Sequence, residues 1–272
     1  MKVSSFALQL LLTGTLLASS VAAEEDDNSN ATTTFELPAK ETDLRIATFN
    51  TALSDHVGRV EYKLEEWLVD DDAGAHPEVA LVAEVIQRTG CPDILSLNEF
   101  DHVWTNNTHW DKERTYAEVD AFQTKYLSVP RAEDVEPCVY PYVYVAPCNT
   151  GVQSGIDMNK DGTIGTADDA FAYGNFPGAF SMVFLSMYPI IEDEIRTFQY
   201  FLWKDMDGPY LPVYPLNDEE NAGEPYYNTT ELEIIRLAAK SFWDIPLNVS
   251  GTGSGNEDDS EILHVLMSHP RP

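Results

Sequence analysis

Short apolar runs and one stretch of helical periodicity define the first elements that the chain predicts. Residues 45–50 and 93–99 are rich in Ile, Leu, Thr and Phe, which is typical of buried strands. Between these runs, from Pro77 to Arg88, apolar residues recur at helical spacing, with a proline in the first turn and Gly90 just beyond the end. The order strand, helix, strand predicts an α/β unit.

The rest of the chain predicts a second helix over 116–126 and a series of further strands. The predicted strands cover 140–146, 181–186, 195–201, 242–249 and 262–268. Two segments rich in turn-forming and acidic residues interrupt them: 205–228, expected to be a long surface insertion, and 251–260, expected to be a loop between the last two strands. This alternation favours one mixed α/β (α+β) domain.

The first 40 residues differ from the rest in composition. Lys2, an apolar stretch over 6–17 and small residues up to Ala23 form the three zones of a secretory signal peptide, so we expect residues 1–23 to be removed. Residues 24–40 are acidic and poor in apolar side chains, which is typical of a disordered leader. We therefore expect a secreted protein, folded over 41–272, with no stable membrane insertion, since no later segment is long and uncharged enough to span a bilayer.

An exported protein can carry N-glycans and disulfide bonds. The chain carries four sequons that would accept N-glycans in a eukaryotic host, at Asn30, Asn106, Asn228 and Asn248. Its three cysteines permit one disulfide with one thiol left over. The short loop between Cys138 and Cys148 is the easier one to close, so these two are predicted to pair.

The chain is strongly acidic, with 46 acidic against 16 basic residues and a formal net charge of -30. Such a charge repels polyanions at long range, so high-affinity binding to long DNA is disfavoured. The acidity is also typical of a protein that must stay soluble outside the cell, and it does not decide the substrate. We expect a monomer.

Five short motifs occur in order at 45–50, 83–87, 92–101, 184–190 and 263–269. Together they resemble the endonuclease/exonuclease/phosphatase superfamily, and most closely its secreted bacterial-type branch. The resemblance implies a four-layer α/β sandwich of mixed β-sheets with flanking helices. It also implies hydrolysis of phosphate esters by metal-assisted attack of water, on a substrate that is either a small molecule or a nucleic acid.

The resemblance assigns roles to particular residues. Glu99 matches the family's metal carboxylate, and Asn50 matches the polar residue that orients metal and phosphate, which implies Mg²⁺ or Mn²⁺ as cofactor. His269 matches a histidine assigned to phosphate stabilisation or proton transfer. Asn98 and Asp101 are candidates for the shell around the metal.

Two lysines are open to either of two interpretations. Lys204 and Lys240 are rare cations in an acidic chain, and they either face the substrate phosphate or pair with surface carboxylates. Lysines of this kind more often pair with surface carboxylates, so we expect the second interpretation.

The chain also departs from the family pattern. The family completes its site with an Asp-x-Asn strand end and a final Asp-His pair, and neither follows His269 in these 272 residues. The related branch commonly has a histidine where this chain has Phe242. We therefore expect the second half of the sandwich to be incomplete, and the alternative to an enzyme is a catalytically incomplete extracellular calcium-binding protein.

A second motif, at 157–168, does not depend on the resemblance and fits the acidic calcium loop. Oxygen-bearing residues recur at alternating positions, Gly162 allows the sharp bend, and Ile164 is expected to anchor the loop to the core. Asp169 is a candidate to assist the closing residue. The predicted Ca²⁺ ligands are Asp157, Asn159, Asp161, the carbonyl of Thr163, and Asp168. The alternative is a surface turn without metal.

Overall fold

The computed structural model describes residues 44–54, 62–70, 76–250 and 261–270. The predicted signal peptide, the acidic leader, the sequon at Asn30 and the loop at 251–260 lie outside the described residues.

Nine strands and four α-helices make up the regular structure of the described residues. The strands are β1 (Ile46–Leu53), β2 (Ile94–Phe100), β3 (Trp104–Thr105), β4 (His109–Trp110), β5 (Tyr142–Tyr144), β6 (Met182–Ser186), β7 (Arg196–Thr197), β8 (Phe242–Asn248) and β9 (Ile262–Ser268). The helices are α1 (Lys63–Glu65), α2 (Pro77–Arg88), α3 (Lys112–Phe122) and α4 (Thr229–Leu232). Helices α1 and α3 continue as π-helical turns at Glu66–Asp70 and Gln123–Leu127, and short 3₁₀ turns cover Ala167–Asp169, Glu192–Glu194 and Trp203–Asp205.

The first sheet has the strand order β1-β2-β6-β5. Strands β1 and β2 are parallel, with Asn50 paired to Asn98, whereas β6 runs antiparallel to β2. Parallel neighbours require a crossover, and helix α2 lies within the chain that connects them. The predicted strand–helix–strand unit is confirmed.

Helix α2 has the bounds that its pattern predicts, with Pro77 as its first residue. Its core-facing side chains are fully or almost fully buried: Val79, Val82, Ala83 and Ile86. Helix α3 begins earlier than predicted because Asp111 caps it, its side chain accepting a hydrogen bond from the backbone N–H of Arg114 at 3.1 Å. Both helices contribute to one core cluster on the same face of the first sheet.

The second sheet has the order β7-β8-β9 and is antiparallel. Trp243 and Ile245 of β8 are fully buried in one cluster with Met182 and Phe184 of β6, so the two sheets pack face to face. The Trp243 ring meets that of Tyr144 edge-on, with centroids 5.2 Å apart. The first sheet therefore has helices on one face and the second sheet on the other. This arrangement is the α/β sandwich that the motifs imply.

The strand predicted over 195–201 is largely wrong, because only Arg196–Thr197 pairs with β8. In contrast, 205–228 is a surface insertion as predicted, with Tyr210 and Leu216 almost wholly exposed. Of the sequons, Asn106 and Asn228 are exposed, and Asn248 is partly buried. Among the described helices, none combines the length and apolar character needed to cross a membrane.

The predicted disulfide is wrong: Cys91 bonds to Cys138, and Cys148 is a buried free thiol. Cys138 belongs to the core beneath the helices, whereas Cys148 belongs to the core between the two sheets. Strand β5 lies between these two cysteines in the chain. The chain therefore passes from one face of the sheet to the other between Cys138 and Cys148. The loop between Cys138 and Cys148 is short enough to close, but the sheet separates the sulfur atoms of these two residues.

We expect loss of the Cys91–Cys138 bond, in a variant with both residues changed to Ala, to lower the free energy of unfolding by about 4 kcal/mol, because the bond closes a loop with a sequence separation of 47. Denaturant titration measures this change. The control is Cys148→Ala, which removes a buried cysteine side chain and leaves the disulfide intact. Peptide mapping under non-reducing conditions identifies the bond directly. A peptide joining Cys138 to Cys148 would contradict the structure.

Candidate active site

The carboxyl ends of β1 and β2 bring the predicted site residues together. Asn50 lies beside Asn98 in the parallel register, and Glu99 follows directly. At this edge the backbone leaves the extended conformation, with φ of 51° at Ala52 and 59° at Glu99. Residues other than glycine rarely adopt this left-handed conformation, which costs free energy and clusters at functional sites.

Glu99 combines a fixed backbone with an uncommitted side chain. The Thr51 hydroxyl donates to the carbonyls of both Asn98 and Glu99, at 3.0 Å each. The Glu99 side chain is partly exposed, and its carboxylate makes no hydrogen bond or ion pair with any described residue. A carboxylate in this position is available to bind a ligand.

Two amide side chains add further oxygen atoms at the same edge. The Asn50 side chain is exposed, and its Oδ1 accepts a hydrogen bond from the backbone N–H of Ala52 at 3.1 Å. Asn98 donates through Nδ2 to the Thr48 hydroxyl at 3.0 Å, while its buried Oδ1 has no hydrogen-bond partner among the described residues. A buried carbonyl oxygen without a partner is unusual and points to a group that would bind there.

Asp101 is buried and shapes the wall of the site. Its backbone N–H donates to the carbonyl of Leu53 at 3.2 Å, and its Oδ1 accepts from the backbone N–H of Phe180 at 2.7 Å. Phe180 is itself left-handed, with φ of 53°. Gly178 approaches so closely that a Cβ there would lie 2.3 Å from the carbonyl oxygen of His102. The turn before β6 is thus tied to the end of β2.

Lys240 is buried beside this turn and donates a hydrogen bond from its ammonium to the carbonyl of Phe180. Burial lowers the pKa of Lys240 to about 8, although Cys148, Glu99 and Asp101 act in the opposite direction. The interpretation of Lys240 as a surface lysine is therefore wrong.

Lys204 does follow the surface interpretation, since its ammonium pairs with Glu233 at 2.6 Å. Both side chains are substantially exposed, so the pair contributes little to stability. Of the two lysines, only Lys240 lies within reach of the site carboxylates.

His269 follows β9, whose last residue, Ser268, pairs with Phe242 at the start of β8. Burial and the charge of Lys240 lower the pKa of His269, while Glu99 raises it. Its Nδ1 has no hydrogen-bond partner among the described residues. Glu99, Lys240 and His269 are therefore close enough to influence one another electrostatically, although they come from three distant parts of the chain.

Two buried ionisable residues near the site escape the sequence reasoning. His102 is fully buried and its Nε2 lies 2.9 Å from the carbonyl oxygen of Met182. Burial lowers the pKa of His102 to about 3, so the ring is neutral at physiological pH. Glu118 of α3 is fully buried with no hydrogen-bond partner for either oxygen among the described residues. Burial raises the pKa of Glu118 well above its ordinary value, and the nearby charges of Glu65 and Asp101 add to the shift.

A signal for Glu118 was present in the sequence. Thr115, Val119 and Phe122 are buried at helical spacing around it, so its position on the core-facing side of α3 follows from periodicity. His102 had no comparable signal, because it lies in an irregular segment after β2.

The oxygen atoms of Glu99, Asn50 and Asn98 fit a hard divalent cation such as Mg²⁺, which prefers carboxylate and carbonyl ligands. Within the described ranges, no group of three or more His, Cys, Asp or Glu side chains is arranged to hold a metal. The fit therefore rests on one carboxylate together with amide oxygens.

The predicted calcium loop is organised by its own carboxylates. Asp157 accepts hydrogen bonds from the backbone N–H groups of Asp161 and Gly162, at 3.1 and 2.9 Å. Asp161 accepts from the N–H of Thr163 at 2.7 Å. The side chains of Asp157, Asn159 and Asp161 thus turn toward the inside of one bend.

The loop is anchored differently from the prediction. Ile164 is 62% exposed, so its expected role as the core anchor is wrong. Asp169 is instead fully buried and accepts from the N–H groups of Met158, Gly165 and Thr166, at 2.9, 3.0 and 3.0 Å. These hydrogen bonds, led by that from the Thr166 backbone, lower the pKa of Asp169 and favour its charged form. Asp168, the predicted closing ligand, is exposed.

Comparison with known proteins gives one positive finding. The model of the Endonuclease/Exonuclease/phosphatase family matches residues 47–242, which is well over half of the chain and includes both strands that carry Asn50 and Glu99. No curated protein and no solved structure matches significantly. The sandwich fold and the site at the ends of β1 and β2 agree with this match. The chain therefore belongs to the Endonuclease/Exonuclease/phosphatase family, whose members are generally hydrolases that act on phosphoesters.

Proposed function

We propose that this chain is a secreted phosphoester hydrolase that depends on Mg²⁺ or Mn²⁺ held by Glu99 and Asn50. The observation that carries the proposal is the Glu99 carboxylate, which stands at a strained strand end with no hydrogen-bond partner among the described residues. Residues in such conformations persist only when the surrounding structure holds them, and the Thr51 hydroxyl does so here.

The surrounding side chains support chemistry on a phosphate group. When bound, a divalent ion polarises phosphoryl oxygens and makes a water molecule more acidic. Lys240 adds a fixed positive charge beside the site, which favours the negative charge that develops during phosphoryl transfer. The partly exposed imidazole of His269 lies near Glu99 and Lys240, and such a ring can exchange a proton or a hydrogen bond with a phosphoryl oxygen.

The charge of the chain favours a small substrate. A net charge of -30 repels long polyanions. A small phosphate ester carries few negative charges, so the protein repels it less strongly. We therefore propose small phosphate esters rather than long nucleic acids as substrates.

We expect Glu99→Gln to lower the hydrolysis of a bis-aryl phosphate diester with Mg²⁺ by at least about 100-fold, since changing even an outer partner of a metal ligand costs 10–100-fold. The same variant should bind Mn²⁺ more weakly in calorimetry, which does not depend on activity. The matched control is Glu113→Gln, the same chemical change at an exposed position of α3.

Unchanged activity and unchanged Mn²⁺ affinity in Glu99→Gln would refute the assigned metal site. Weak Mn²⁺ binding without hydrolysis in the unaltered chain would leave the metal assignment intact and argue against catalysis.

A second candidate function is calcium binding by the loop at 157–168, with or without catalysis. The supporting observation is that the carboxylates of Asp157 and Asp161 are already held toward one bend by backbone N–H groups. The hydroxyls of Tyr226 and Tyr227 further hold the loop by donating to the carbonyls of Asn159 and Met158. The ion would stabilise the loop rather than take part in hydrolysis.

We expect the chain to bind Ca²⁺ with a dissociation constant of about 10⁻⁴ to 10⁻³ M, the range of extracellular modules. Asp157→Asn should weaken binding by about tenfold or more, because it removes a ligand charge. Calorimetry measures both, with Asp207→Asn at an exposed position outside the loop as control. Equal Ca²⁺ affinity in the two variants would show that the loop is not the site.

A further inference from the structure

A cleft of about 340 Å³ opens between the loop at 157–169 and the segment at 203–227. Its lining includes four aromatic rings, an exposed carboxylate and a thioether: Phe171, Trp203, Tyr226, Tyr227, Asp168 and Met158. Neither the family match nor the site at Glu99 accounts for this concentration of aromatic side chains.

The polar groups of the cleft are largely committed to the protein itself. The Tyr226 hydroxyl donates to the carbonyl of Asn159 at 3.0 Å, and the Tyr227 hydroxyl donates to that of Met158 at 3.3 Å. The side-chain amide of Asn159 donates to Asp161 at 3.0 Å. The hydroxyl protons of the two tyrosines are therefore engaged by the protein itself.

Aromatic rings in this region already attract cations. The Arg236 guanidinium lies 3.8 Å from the centroid of Phe171 and 4.6 Å from that of Tyr200. The Lys160 ammonium lies 5.4 Å from the centroid of Tyr227. These two protein cations each occupy a face of Phe171 or Tyr227, whereas no cation of the described residues lies over Trp203 or Tyr226. The free ring faces, the charge of Asp168 and the net charge of -30 favour a positive ligand.

We propose that this cleft binds a small organic cation with a methylated ammonium group. Such a group is weakly hydrated, presents an apolar surface to the ring faces and needs no hydrogen-bond partner, so it suits a cleft whose hydroxyls are committed. The carboxylate at the rim supplies the opposite charge. This binding does not depend on the proposed phosphoesterase activity.

Other ligand classes match the cleft less well. A sugar ring also stacks on aromatic side chains, but its hydroxyls need several donors and acceptors, and the tyrosine hydroxyls and the Asn159 amide already serve the protein. A phosphate or carboxylate ligand would meet the charge of Asp168 and the acidic surface of the whole chain.

The test is calorimetric titration of the full chain with choline, with 3,3-dimethylbutanol as the uncharged compound of the same shape, and with methyl glucoside. The titrations are run at constant ionic strength, once with EDTA and once with Ca²⁺, because Asp168 is also a predicted Ca²⁺ ligand. We expect saturable choline binding below about 10 mM. Binding of 3,3-dimethylbutanol should be about tenfold weaker, because it lacks the charge on which cation–π attraction depends.

Two variants locate the site. Trp203→Leu should weaken choline binding by about tenfold, whereas Tyr210→Leu, an aromatic change at a 93% exposed position of the same segment, should leave it unchanged. Asp168→Asn alters charge with little change in shape, so it should weaken choline binding in EDTA even if Trp203→Leu proves unstable.

Choline binding that is absent at about 10 mM, that matches the uncharged compound, or that survives Asp168→Asn and Trp203→Leu unchanged in folded protein would overturn the proposal. Preferential binding of methyl glucoside would overturn it in favour of a sugar site. Hydrolytic activity has no bearing on any of these outcomes.

Discussion

The parallel pairing of β1 with β2 is the constraint on which the candidate site depends. It places Asn50 directly beside Asn98 and leaves Glu99 at the same edge. Each strand has a left-handed residue at its penultimate position, and the Thr51 hydroxyl donates to the carbonyls of Asn98 and Glu99 near the end of the second strand. A small shift in this register would separate the amide from the carboxylate, so the register determines whether the two can act on one ligand.

The turn at Phe180 joins this edge to the second sheet. Its N–H is bound by Asp101 from the end of β2, and its carbonyl is bound by Lys240, which precedes β8. Burying a lysine is unfavourable, and the lowered pKa of Lys240 expresses that cost. The neighbouring carboxylates offset part of it, so positive and negative charges are held together in a site that is partly shielded from water.

The long segment between β5 and β6 is fastened to the same region. The N–H of Asn149 donates to the carbonyl of Lys240 at 2.8 Å, and the N–H of Gly178 donates to the carbonyl of Thr150 at 3.1 Å. The N–H of His102 in turn donates to Gly178 at 2.9 Å. The segment that carries the acidic loop and part of the aromatic cleft therefore begins and ends against the walls of the candidate site.

The sequence by itself was sufficient for the elements with strong local signals. Helix α2 follows from its periodicity and from Pro77, and β2, β8 and β9 follow from short apolar runs. The order of the motifs indicated the family and singled out Glu99 at a strand end. These features depend on neighbouring residues, which is why a one-dimensional pattern determines them.

Only the tertiary structure decided which distant residues meet. Local loop length favoured Cys138–Cys148, but the sheet lies between those sulfurs and Cys91 is the partner. The sequence favoured a surface position for Lys240, whereas its burial beside Phe180 depends on packing between elements far apart in the chain. The acidic loop was recognisable from its spacing, yet its anchor proved to be Asp169 rather than Ile164, because the backbone N–H groups that converge on one carboxylate are fixed only when the loop folds.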